Sequence, residues 1–148
     1  MIILIAIIVL GLLFDYINGF HDAANSIATI VSTKVLTPFQ AVLWAAFFNF
    51  VAFFISKYLI GDFGIANTVS KTVYQQYSTV PIILAGVIAA IIWNLFTWWQ
   101  GIPSSSSHTL IGGFAGSAIM ANGWQAIHSA VILKIAAFIF LAPFIGMI

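Results

Sequence analysis

The sequence is 148 residues long, 63% hydrophobic and 5% charged, with a formal net charge of +1. Together with a mean hydropathy of +1.16, this composition excludes an ordinary globular domain, and without a basic run the charge excludes nucleic acid as a partner. There is no cysteine, which removes disulfides and thiolate metal sites, so the chain reads as an all-α, polytopic helical membrane protein whose first partner is the lipid bilayer.

Ile2 to Phe14 follows Met1 without any Lys or Arg, which is unlike a secretory leader, and the stretch is read as a first span over 2–17. Its purely apolar part of about 13 residues reaches about 20 Å, short of a hydrocarbon core of about 30 Å. The span must therefore carry Asp15, and with it Asn18, toward the membrane. A polar cluster, Asn18-Gly19-Phe20-His21-Asp22-Ala23-Ala24-Asn25-Ser26, comes next, followed by an apolar stretch too short to cross. The expectation for 18–35 is a broken segment, a half-helix or re-entrant element whose loose backbone lines a cavity or lies buried in protein.

Thr37-Pro38 opens a second span over 39–58, with the proline in the first helical turn where its missing N–H costs least. Gly61 to Ser78 is a polar loop holding Asp62, Asn67, Lys71, Gln75 and Gln76. Lys57 and Lys71 flank this loop, which assigns it to the cytoplasm by the positive-inside bias. A third span covers 81–99, a second broken segment 101–120, and a fourth span 124–148. Aromatic residues make up 16% of the chain, Trp44, Trp93, Trp98, Trp99 and Trp124 among them, as interfacial belts and helix packing require. Short interrupted segments that alternate with full spans point to a transporter site at mid-membrane, where half-helix ends face the substrate.

Two constellations could carry chemistry. In the first, Asp22 and Asn25 stand three apart on one helical face, with His21 and Asn18 beside them and Asp15 upstream. An ionisable group at membrane depth is costly and marks an ion route, so Asp22, Asn25, Asp15 and His21 are the candidates to meet a coupling ion. The plainer alternative is that Asp22 caps a helix. The second constellation is Gly101-Ile102-Pro103-Ser104-Ser105-Ser106-Ser107-His108-Thr109. Pro103 stops the third span, and a helix restarting near Ser105 offers unpaired N–H groups, its dipole and several hydroxyls to an anion. A low-complexity linker is the alternative, set against the apolar sequence on both sides. Beyond it, Gly112-x-x-x-Gly116 and Gly113-x-x-x-Ser117 give that helix a smooth face for a close neighbour.

Asn18 to Asn25, Ala28-Thr29, Ile92-Trp93-Asn94, Trp98 and the run from Gly101 to Gly112 resemble the inorganic phosphate transporter family, especially its bacterial low-affinity members. The resemblance covers roughly Phe14 to Ile119 and implies a multi-pass protein of the bacterial plasma, or inner, membrane. It implies a symporter built from two inverted-topology halves, of which this chain is similar to the first, with sodium or protons as the coupling ion and no cofactor. By the same resemblance Asp22 and Asn25 belong to the substrate and coupling-ion site, and Ser104, Ser105, Ser106, Ser107 and Thr109 to the segment that meets inorganic phosphate, alone or as a metal-phosphate complex. The missing half would come from a longer protein or from a second copy in a homo-oligomer. Two other classes compete. A passive channel or small multimeric pore would show current without coupled uptake. An intramembrane serine hydrolase would need a nucleophile elbow, and no Gly-x-Ser-x-Gly occurs.

Overall fold

The computed structural model describes residues 1–61 and 64–147. Asp62, Phe63 and Ile148, which the sequence reading assigned to the polar loop and to the end of the fourth span, lie outside the described residues. The described residues form helices α1 (Ile2–Ser32), α2 (Pro38–Ile55), α3 (Gly64–Ser70), α4 (Val80–Gln100), α5 (Ser106–Asn122) and α6 (Ser129–Gly146). Among the described residues, four helical segments are long and apolar enough to cross a membrane: Ile2–Ser32, Pro38–Ile60, Val80–Gln100 and Ser129–Gly146. The chain is an all-α, multi-pass membrane protein.

The first helix departs from the expected break after residue 17. α1 runs unbroken for 31 residues, through the polar cluster and on to Ser32. The reason lies in the backbone: no proline precedes Pro38, so nothing removes a rung of the helical ladder. In hydrocarbon a continued helix is the cheapest way to satisfy each N–H and C=O. Gly19 costs about 1 kcal/mol in a helix and the Asn and Asp residues of the cluster less than that each. Local bonds also support the helix, as where the Ser26 hydroxyl donates to the Asp22 carbonyl at 2.9 Å. The helix ends instead where Lys34 takes a left-handed conformation, φ 58°, and the Val35 and Leu36 amides turn back to the Ile30 carbonyl.

α2 opens on a reciprocal cap. The Gln40 amide donates to the Thr37 hydroxyl at 3.4 Å, and the Thr37 amide donates to the Gln40 side chain at 3.1 Å. A π turn over Ser56–Ile60 extends the helix to Gly61. α4 presents a helical stripe inward: Ile82, Gly86, Val87, Ala90, Ile91, Asn94 and Thr97. Against this stripe α1 packs Phe14 and Ile17, with Leu10, Leu110 and Phe114 completing the layer.

α5 folds back on α4 as an antiparallel hairpin. A Cβ at Gly113 would collide with the Gly86 carbonyl, and one at Gly86 with the Phe114 ring, so the two backbones meet here. The Ser117 hydroxyl fixes the register by donating to the Ile82 carbonyl at 3.0 Å. Of the two small-residue pairs, Gly113 and Ser117 thus face α4, whereas nothing stands within 4 Å of a Cβ at Gly112 or Gly116. At the other end of α5 an antiparallel bridge joins Val73 to Ile127, and the His128 amide donates to the Thr72 carbonyl at 2.9 Å. This pairing holds Trp124–Ala126 in a 3₁₀ turn, so the last helix begins at Ser129 rather than at the expected Trp124. α6 has no buried residue along its length.

Candidate functional site

The serine stretch takes its shape from its two neighbours. Gly101 closes α4 in a left-handed conformation, φ 67°, which its missing side chain makes inexpensive. Its own amide returns to the Trp98 carbonyl at 3.1 Å, and that of Ile102 to Thr97 at 2.8 Å. Pro103 prevents further helix, and Ser105, in an extended conformation, becomes the N-cap of α5. The Ser105 hydroxyl accepts from the His108 amide at 3.5 Å. The amides of Ser106 and Ser107 have no acceptor within the helix and lie at its positive end.

Ser106 is buried, and its hydroxyl donates to Asp22 Oδ2 at 3.3 Å. This contact joins positions 84 residues apart, the start of α5 to the middle of α1. Asp22 Oδ1 lies 3.5 Å from Nδ1 of His21, whose side chain is only 6% exposed against 43% for Asp22. The other ring nitrogen of His21 is 3.5 Å from the Thr97 hydroxyl. Thr97, in turn, is 3.0 Å from the hydroxyl of Ser104. A chain of side-chain contacts therefore links the serine stretch, α1 and α4: Ser106, Asp22, His21, Thr97, Ser104.

The structure brings Asp22, His21, Ser104 and Ser106 together from the residues singled out in the sequence. Asn25 stands one turn beyond Asp22 on the same face and is exposed; Asp15 stands two turns before it, also exposed. The serines divide in direction. Ser105 and Ser107 line an outer cleft of about 1040 Å³ with His108, Lys71 and Lys134. Ser105 also borders a second cavity of about 500 Å³ with Ser104, Trp93, Thr109 and Gly112. Thr109 ties its hydroxyl to the Ser105 carbonyl at 2.9 Å, which braces the first turn of α5.

Sequence reasoning missed Thr97, and it named Asn94, one turn before it on the same face, only as part of the family resemblance. Both are 1% exposed. The signal was present as two polar residues three apart on the otherwise apolar inward stripe of α4. Chemically, the arrangement sets hydroxyls and a helix N-terminus, which attract an anion, directly against a carboxylate, which attracts a cation or a proton-bearing group.

Comparison with known proteins gives the family. The family model described as "Phosphate transporter family" matches residues 18–148. A probable low-affinity inorganic phosphate transporter of Rhizobium meliloti is 46% identical over 99% of this chain, which covers 42% of that protein. One of Bacillus subtilis is 44% identical over 100% of the chain and 44% of the relative. The low-affinity inorganic phosphate transporter PitB of Escherichia coli is 34% identical over 93% of the chain, which covers 29% of its length. The chain thus spans less than half the length of these curated relatives. No solved structure matches it. The bacterial relatives and the four apolar helices fit a multi-pass protein of the plasma membrane, and the family is one of transporters rather than enzymes, which sets the hydrolase aside. The matched stretch begins at Asn18 and takes in the polar cluster of α1, the stripe of α4 and the serine stretch; the chain belongs to the phosphate transporter family.

Proposed function

We propose that the chain supplies one side of the site of a secondary transporter that moves inorganic phosphate in symport with sodium ions or protons. The observation that carries this reading is the Ser106–Asp22 contact, which puts the N-terminus of α5 against a carboxylate in the middle of a membrane-crossing helix. Phosphate would take hydrogen bonds from the Ser106 and Ser107 amides and from the hydroxyls of Ser104, Ser105, Ser106 and Ser107, with Thr109 holding the turn. Asp22 would accept a hydrogen bond from a protonated phosphate oxygen or contribute an oxygen to a coupling cation, with Asn25, His21 and Asp15 along the same helix. A metal-phosphate complex would bring its own cation to that carboxylate. The far side of the site would come from the remainder of a longer protein, as an inverted second half, or from a second copy of the chain. Transport is then the rocking of one bundle against the other about the bound anion.

Uptake of radiolabelled phosphate by proteoliposomes of the intact protein tests the reading. Asp22→Asn, and Ser105→Ala with Ser106→Ala, should each lower uptake by at least tenfold; uptake unchanged in both would refute the assignment. Removing sodium at fixed pH, then varying pH at fixed sodium, separates the two coupling ions.

A further inference from the structure

α1 and α4 run in the same direction along a shared seam. Phe14 and Ile17 pack with Val87, Ala90 and Ile91, and further along both helices His21 meets Thr97. Three residues before that contact, on each helix, stand Asn18 and Asn94. Two amide side chains therefore lie at one level, between an aliphatic layer and the His21–Thr97 contact. Asn94 is 1% exposed, and neither its Oδ1 nor its Nδ2 has a hydrogen-bonding partner; Asn18 Oδ1 is likewise buried and unpartnered.

Buried amide groups in folded proteins are paired, and ordered water is the usual partner where the protein offers none. The donor and acceptor set decides among occupants. Two carbonyl oxygens need something that donates, and the Asn94 amino group needs something that accepts. A bare cation serves the oxygens and leaves the amino group unpaired; an anion does the reverse. Water serves both.

We infer that Asn18 and Asn94 hold ordered water in a closed site between α1 and α4, one turn behind the His21–Asp22 pair. The site extends the polar lining of α1 a turn deeper into the seam, on the side of His21 away from Ser106. It requires no role for either amide in binding phosphate.

X-ray radiolytic labelling of the intact protein in lipid nanodiscs, with rapid mixing into 18O-water, reads out such water without any uptake assay. The expected result is oxidation of Ile17 and Ile91, despite exposures of only 4% and 8%, by oxygen that exchanges slowly with bulk. Asn94→Leu should reduce that labelling several-fold. If this variant does not fold, Asn18→Ala supplies the same comparison. No oxidation at either isoleucine in the unaltered protein would mean a dry seam, with the amides bonded to each other, and would overturn the inference. So would an unfolding temperature raised by sodium chloride over choline chloride and no longer raised in Asn94→Leu, because the occupant would then be a cation.

Discussion

The Thr97 hydroxyl stands within hydrogen-bonding distance of the Trp93 and Asn94 carbonyls, the Ser104 hydroxyl and His21 Nε2. It has a single proton to give, so it donates to one of these at most, and only the Ser104 hydroxyl or an N–H on His21 Nε2 can donate to its lone pairs. Replacing it by Val keeps the shape of the side chain and deletes the oxygen that joins Ser104 to His21. Thr97→Val should cost about 1–3 kcal/mol of stability, since buried partners lose their bond. The phosphate KM should rise while Thr97→Ser stays near the unaltered value; detergent unfolding and uptake kinetics check the two halves of this prediction. The polar residues of α1 and the serine stretch were legible in the sequence because several of them stand together in apolar surroundings. Thr97 was not, because it is one polar residue amid a hydrophobic run, and its meaning depends on which neighbour the helix face meets.

At the scale of elements, the start of the second span at Pro38 and the stop of the third before Pro103 could be read from residues with fixed backbone preferences. α1 shows the limit of that reading. Polar side chains between residues 18 and 26 looked like an interruption, yet polarity alone does not end a helix when the backbone ladder is intact and the side chains have somewhere to go. Continuity places Asp15, Asn18, Asp22 and Asn25 on a single stripe, at intervals of three and four. The α4–α5 hairpin gives a paired test of packing. Gly113→Ala puts a methyl group into the Gly86 carbonyl, and since backbone cannot give way cheaply the helices must part, at about 1–3 kcal/mol. Gly112→Ala meets open space and should be neutral or stabilising by up to about 1 kcal/mol through helix propensity. Thermal unfolding in one detergent compares them; equal effects would mean that the crossing point lies elsewhere.

For the whole molecule, the described chain has a well-packed centre and unpartnered flanks. α1, α4 and α5 share the buried core, whereas α2 shows Phe39, Trp44, Phe47, Phe48 and Phe50 outward and α6 buries nothing. Composition made the membrane class plain, but it could not tell a lipid-facing helix from one awaiting a protein neighbour, because both surfaces are equally apolar. The relatives from Rhizobium meliloti and Bacillus subtilis are more than twice as long as this chain.

An uninterrupted α1 also has a mechanical meaning. At 31 residues it is about 46 Å long, half again the thickness of the hydrocarbon core. With no proline, bulge or unwound turn at Asp22, it offers no hinge at the place where the ligand would bind. Whatever displaces Asp22 must tilt the full shaft, so a small shift at the site becomes a larger swing where the helix leaves the membrane. Spin labels at positions 5 and 30 should keep their separation of about 37 Å with and without phosphate, while a pair joining position 30 to α6 changes. A shortened 5–30 distance in pulsed electron resonance would mean that α1 bends, and that the site moves by folding its own lever.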